Sequence, residues 1–130
     1  MGTKGFVAFA VDGELKVTYN HYDSYPACLG MIVLVDVSRW VMRGEVAEWA
    51  ALARKLTAVS DETPPTPEQI ERLKFWGSLR ARKSKTATWY ELLRETQGNP
   101  EAILRAGHYE PVDNFPAKSA IAEWGYVIDF

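Results

Sequence analysis

One cysteine and two histidines are all that 130 residues offer of those types, and the scarcity excludes several classes of protein. With Cys28 alone no intrachain disulfide can form, and a lone thiol suits a reducing cytoplasm better than an extracellular setting. Neither His21 nor His108 stands in a zinc pattern such as His-Glu-x-x-His, so spacing gives no metal site. His21-x-Asp23 and His108-x-Glu110 make a ligand set only if the fold joins them. Long apolar runs are missing too: the longest, Met31 to Val35, is far short of the roughly 20 residues that span a bilayer. The start Met-Gly-Thr-Lys-Gly-Phe has neither the layout of a signal peptide nor the Ser or Thr at position 6 of a myristoylation motif. A cytoplasmic chain without a membrane partner is expected. Neither sign of charge dominates, since 15 Lys and Arg face 17 Asp and Glu for a net charge of −2, so nucleic-acid binding would need a local patch. Gly5, Gly13 and Gly30 lack the Lys-Ser/Thr ending of a phosphate loop, and no other cofactor motif is present.

What is present reads as a single α+β domain over residues 1–130, with an antiparallel sheet and about five helices. Gly5 to Val11 and Glu14 to Asn20 flank Asp12-Gly13, the pair that favours a type I′ turn, and predict a hairpin. The first arm is apolar on both faces and should be a central strand. The second alternates Leu15, Val17 and Tyr19 with Lys16, Thr18 and Asn20, so its polar face is expected to meet solvent. Leu29, Ile32, Val33, Val37, Trp40 and Val41 recur at helical spacing, as do Val46, Trp49, Ala50, Leu52, Ala53 and Leu56, with Gly44 at the junction. Thr66-Pro67-Glu68-Gln69 and Thr88-Trp89-Tyr90-Glu91 are capping boxes that open helices, and Asn99-Pro100 opens another that stops at Gly107. Gly107 to Lys118 reads as a loop, and Ala122 to Phe130 as a closing strand beside the hairpin.

Four blocks carry a family resemblance: Met-Gly-Thr-Lys-Gly at the start, Tyr19 to Pro26 with Leu29-Gly30 behind it, Trp89 to Gly98, and Glu123 to Asp129. Together they resemble a family of small uncharacterised proteins of bacteriophages, bacteria and fungi. The resemblance spans nearly the whole chain and implies a phage or mobile-element setting. It implies a protein that works by binding host machinery, such as an inhibitor of a host defence complex in the manner of anti-CRISPR proteins. Members of the pattern often continue past the last strand, so a further strand supplied by a partner is an expectation. The chain also resembles, more distantly, the N-terminal-nucleophile hydrolases, in which a short start leads into a hairpin. That resemblance implies an amidohydrolase with Thr3 as nucleophile once Met1 and Gly2 are removed, its free amine serving as base, and His21, Asp23 and Ser24 lining the pocket.

Two segments concentrate functional groups. His21-Tyr22-Asp23-Ser24-Tyr25-Pro26 brings a base, a carboxylate and a hydroxyl together on a loop at a strand end. Read as structure, Asp23 or Ser24 caps the next helix and Pro26 stands in its first turn. Arg80, Arg82, Lys83 and Lys85 form a basic stretch flanked by Trp76 and Trp89, a pattern that could anchor a protein partner or hold single-stranded nucleic acid. Trp40, Trp49 and Trp124 are expected in the core, and Cys28 as helix packing. With no complete catalytic motif, a binding protein is expected rather than an enzyme.

Overall fold

Asp12 and Gly13 set the sheet. In the computed structural model, which describes residues 3–111 and 123–130, both have positive φ, 52° and 77°, as a type I′ turn demands. This turn pairs β1 (Gly5–Val11) with β2 (Glu14–Asn20) in antiparallel register, Val11 opposite Glu14 and Gly5 opposite Asn20. The C-terminal strand β5 (Trp124–Asp129) joins on the other side of β1, giving the order β2-β1-β5. The hairpin is antiparallel, as expected, whereas β5 runs parallel to β1 from Gly5↔Trp124 to Ala10↔Asp129. Parallel pairing is open to it because more than a hundred intervening residues form the long crossover that such a pair requires. Gly5 has to be glycine: a Cβ there would lie 2.3 Å from the Trp124 carbonyl oxygen and 2.6 Å from Ser24 Cβ.

Between the strands, a π-helical turn at Pro26–Gly30 leads into α1 (Met31–Arg43), and Gly44 in the left-handed region (φ 68°) turns the chain into α2 (Val46–Lys55). Both capping boxes form. Thr66 opens α3 (Pro67–Leu73) and Thr88 opens α5 (Trp89–Leu92), each with reciprocal bonds to the residue three positions on. The short α4 (Leu79–Lys83) lies between them, and α6 (Pro100–Ala106) starts at Asn99 and stops at Gly107 with φ 76°. The helices opened at Thr66 and Thr88 are shorter than expected, ending in 3-10 turns at Lys74–Trp76 and Arg94–Thr96. Inside the predicted loop after Gly107, His108–Tyr109 forms β4, parallel to β3 (Thr57–Ala58). The rest of that loop, and the start of the predicted closing strand at Ala122, lie outside the described residues.

One core joins the sheet to α1, α2 and α6 through Val7, Phe9, Val11, Leu29, Val33, Trp40, Trp49, Ile103, Leu104 and Ile128. A second, around Ile70, Leu73, Trp89, Leu92 and Leu93, joins α3 to α5. β2 departs from the expected orientation: Lys16, Thr18 and Asn20 are buried and Leu15 is exposed, while Tyr19, on the Leu15 side, is buried as well. A two-residue turn leaves no other choice, because Glu14 opposite Val11 puts Lys16 beside Phe9 and Thr18 beside Val7 on the core face. Each buried polar group is answered there. Lys16 Nζ donates to the carbonyls of Ala53 (2.7 Å), Arg54 (3.0 Å) and Leu56 (2.8 Å) at the end of α2, and Thr18 Oγ1 donates to Val7 O.

The orientation of α1 also departs from expectation. Val33, Asp36 and Trp40 face inward, while Ile32 and Val41, expected inside, are exposed. Asp36 and Arg39 lie toward the inward side while the apolar stripe faces out, so apolar periodicity points this helix the other way. The choice falls to polar partners: Arg39 bridges Asp36 and Glu101, and Trp40 Nε1 donates to Glu101 Oε2 at 2.9 Å. Burial, seconded by Glu101, raises the pKa of Asp36. Burial pushes Glu101 the same way, but its bonds from Arg39 and Trp40 outweigh that and hold it below its usual value. Trp124, expected in the core, is partly exposed at the start of β5.

Candidate functional site

The end of β2, the π-turn and the segment after α5 enclose an open groove of about 540 Å³, lined by Asn20, Tyr22, Asp23, Cys28, Arg94, Gln97 and Gly98, with Leu29, Met31 and Ile32 as its apolar wall. Its size falls within the usual range for small-molecule sites. It lies where two of the sequence blocks meet, Tyr19 to Pro26 and Trp89 to Gly98.

The five residues of the loop site divide between this groove and the structure beneath it. Tyr22 and Asp23 line the groove. Asp23 has a left-handed backbone (φ 53°), a conformation uncommon for a residue with a side chain, though aspartate is among those that adopt it. Its carbonyl accepts from Leu29 N–H, and the following turn has no side-chain cap, so the expected capping by Asp23 or Ser24 does not occur. Ser24 is fully buried instead. Its N–H donates to Thr3 O at 3.0 Å, its hydroxyl accepts from Asn20 Nδ2 at 2.8 Å, and its carbonyl accepts from the Tyr126 hydroxyl at 2.7 Å. The serine therefore ties the N-terminal segment, β2 and β5 together. The same backbone bond brings Thr3 to the loop.

His21 pairs through Nδ1 with the Tyr19 hydroxyl at 2.7 Å, and its ring packs edge-on against Tyr22. Burial, first among several causes, pushes the Tyr19 phenol above its usual pKa. Tyr25 is exposed, its pKa raised foremost by a hydrogen bond with Cys28. Arg94 and Gln97, both within the Trp89 to Gly98 block, join the site although nothing in their local sequence marks them as functional. The guanidinium of Arg94 lies 5.1 Å from the Tyr22 ring centroid and 5.8 Å from that of Tyr90. Gln97 Oε1 accepts from His21 N–H at 2.9 Å.

His108 is elsewhere, stacked on Trp89 with centroids 5.5 Å apart, its Nδ1 3.4 Å from Arg72 Nη2. Among the described residues no group of three or more His, Cys, Asp or Glu side chains comes together. Burial, foremost, depresses the His108 pKa below 6.5. The unfolded chain then takes up this proton first as the pH falls, so stability present above the unfolded pKa is lost on acidification. His108→Phe, which keeps a flat ring on Trp89, is expected to flatten the slope of stability between about pH 7 and 5. An unchanged slope in urea titrations at several pH values would contradict this.

The basic stretch is less free than its sequence suggests. Trp89 is buried in the second core, 5% exposed, with Nε1 donating to Thr63 O, and is therefore no surface anchor. Trp76 is half-buried against Phe75. Arg80 pairs with Glu91 at 2.7 Å, and Arg82 donates to Phe75 O while lying over the Phe75 ring. Lys83 and Lys85 are exposed, and so are Phe75 and Leu79 beside them.

The most apolar surface lies on the outside of α1, next to the groove. Met31, Leu34, Val35, Val41 and Met42 share that side with Ser38 and are at least half exposed, while Ile32 links them to the groove wall. No charged side chain interrupts the stripe. Among the described residues no helix is long and apolar enough to cross a membrane. No protein-family model, curated protein or solved structure matches the chain.

Proposed function

We propose that the chain works by binding another protein through the outward face of α1, and that its partner is a component of host machinery such as a defence complex. The uninterrupted apolar stripe carries this reading. At the observed exposures, Met31, Ile32, Leu34, Val35, Val41 and Met42 leave roughly 600 Å² of apolar surface open. That is at the top of the range for the largest patch on a monomer and most of the about 800 Å² that each partner gives a standard interface. Burying a helix face without charges calls for a partner that is apolar over the same area. The class of partner comes from the family resemblance.

The other readings have narrower support. An N-terminal-nucleophile enzyme would draw on the Thr3–Ser24 bond, and single-strand nucleic-acid binding on the exposed Lys83 and Lys85, since Arg80 and Arg82 already have partners. The test compares surfaces. Native protein, Leu34→Glu with Val35→Glu, and Arg82→Glu with Lys83→Glu are used as baits in one bacterial lysate. Melting temperatures are matched first, because all four side chains are exposed. The expected result is a stoichiometric partner held by the native and basic-loop baits and lost, by at least about tenfold, from the α1 bait. Retention by the α1 bait and loss from the basic-loop bait would overturn the assignment.

A further inference from the structure

Two opposite charges line the groove without neutralising each other. Arg94 and Asp23 both stand in its wall, yet among the described residues neither takes part in an ion pair. Buried or half-buried arginines are ordinarily answered by a carboxylate, because the guanidinium loses water on entering a wall. Here Arg94 is half-buried between the faces of Tyr22 and Tyr90, which stabilise the cation and hold its plane without using its forked donors. Gln97 stands beside it with its oxygen engaged by His21 N–H, which leaves the amide NH₂ as a second donor. Asp23, exposed at the groove's edge and an acceptor only when ionised, has its backbone in the left-handed region. Leu29, Met31 and Ile32 supply apolar lining to the same groove.

We infer that this groove binds a small amino carboxylate: the ligand's carboxylate on Arg94 and Gln97, its ammonium on Asp23, and an apolar side chain against Met31 and Ile32. The arrangement selects against the alternatives. A phosphate or dicarboxylate would bring its second charge toward Asp23, and an amine without a carboxylate would leave Arg94 unanswered. Arg94 offers a bidentate match to a carboxylate, and a ligand without one leaves the half-buried guanidinium unanswered. This site is separate in chemistry from the protein-binding face of α1, although Met31 and Ile32 contribute to both.

The test is calorimetric titration of the full native chain with L-leucine, N-acetyl-L-leucine and L-leucinamide, with amide shifts followed by NMR. Leucine is expected to bind, each analogue at least about tenfold more weakly, and shifts to centre on Cys28, Gln97 and Gly98. Asp23→Asn, a residue that also tolerates the left-handed backbone, should weaken leucine and leave N-acetyl-leucine unchanged. Arg94→Gln should weaken leucine and leave leucinamide unchanged. Absence of heat and of shifts with leucine up to about 10 mM would overturn the inference, as would leucinamide binding equal to leucine. A tighter fit for the dipeptide Ala-Leu would overturn it in favour of a chain terminus. Because these arms use the native protein and its ligand analogues, they stand even if a variant fails to fold. Failure here would leave the α1 capture experiment unaffected.

Discussion

Trp40→Ala is expected to lower the stability of the fold by about 4 kcal/mol, the middle of the range for truncating a buried aromatic. Trp40 is 1% exposed and joins four parts of the chain. Its ring stacks on Trp49 of α2 at 4.9 Å and on Phe130 at 6.0 Å, while its Nε1 donates to Glu101 of α6 at 2.9 Å. Alanine removes the aromatic area, leaves a cavity walled by elements that cannot all close in, and takes one donor from a half-buried carboxylate. Near the size of this chain the change corresponds to a melting point lower by about 15 °C. Trp40→Phe, which keeps an aromatic ring in the stack but loses the hydrogen bond and part of the volume, should cost about 2 kcal/mol. A loss below about 1 kcal/mol for Trp40→Ala in urea unfolding would contradict the packing described.

The second large effect is expected at Lys16. Replacement by methionine keeps most of the aliphatic stem and removes the ammonium that holds the Ala53, Arg54 and Leu56 carbonyls. Those oxygens lie at the C-terminal end of α2 and its cap residue Leu56, where intrahelical amide donors run out. The ammonium meets these carbonyls, of which Ala53 O also accepts from Leu56 N–H at 3.3 Å, at the negative end of the helix dipole. Charged hydrogen bonds of this kind contribute about 1.5–3 kcal/mol, and leaving buried acceptors without a donor adds to the loss, so Lys16→Met should cost about 3 kcal/mol. It should also increase hydrogen exchange at the end of α2 more than at its start. A variant as stable as the native chain, with uniform exchange along α2, would mean that the lysine is incidental.

Lys16 also shows what the sequence made legible and what it did not. The hairpin, the Gly107 stop and both capping boxes are local chemistry, set by residues within four positions of one another, and they form as read. The register of β2 was equally determined, because a two-residue turn and an apolar β1 put Lys16 inside. Polarity alone sent it outward, since nothing local announces a buried lysine whose acceptors are 37 to 40 residues away. The same distance problem governs α1: its most apolar side faces out, and its inward face depends on Glu101, 62 residues beyond Arg39. The parallel pairing of β5 is a matter of tertiary topology and left no mark on its alternation. The groove was half legible. Tyr22 and Asp23 stand out as a polar loop at a strand end, whereas Arg94 looks like any helix-surface arginine until the fold lays it between two tyrosines.

The outward face of α1 is the central claim, and site-directed photocrosslinking tests it most directly. A benzophenone amino acid is placed in turn at Leu34, Met42 and Arg82, all exposed and none in the core. Each protein is irradiated in lysate and the adducts are resolved by mass. One discrete adduct of the same partner is expected from the Leu34 and Met42 positions, abolished by Val35→Glu, and none from Arg82. A discrete adduct from the Arg82 position, with none from either α1 position, would contradict it and move the binding surface to the basic loop.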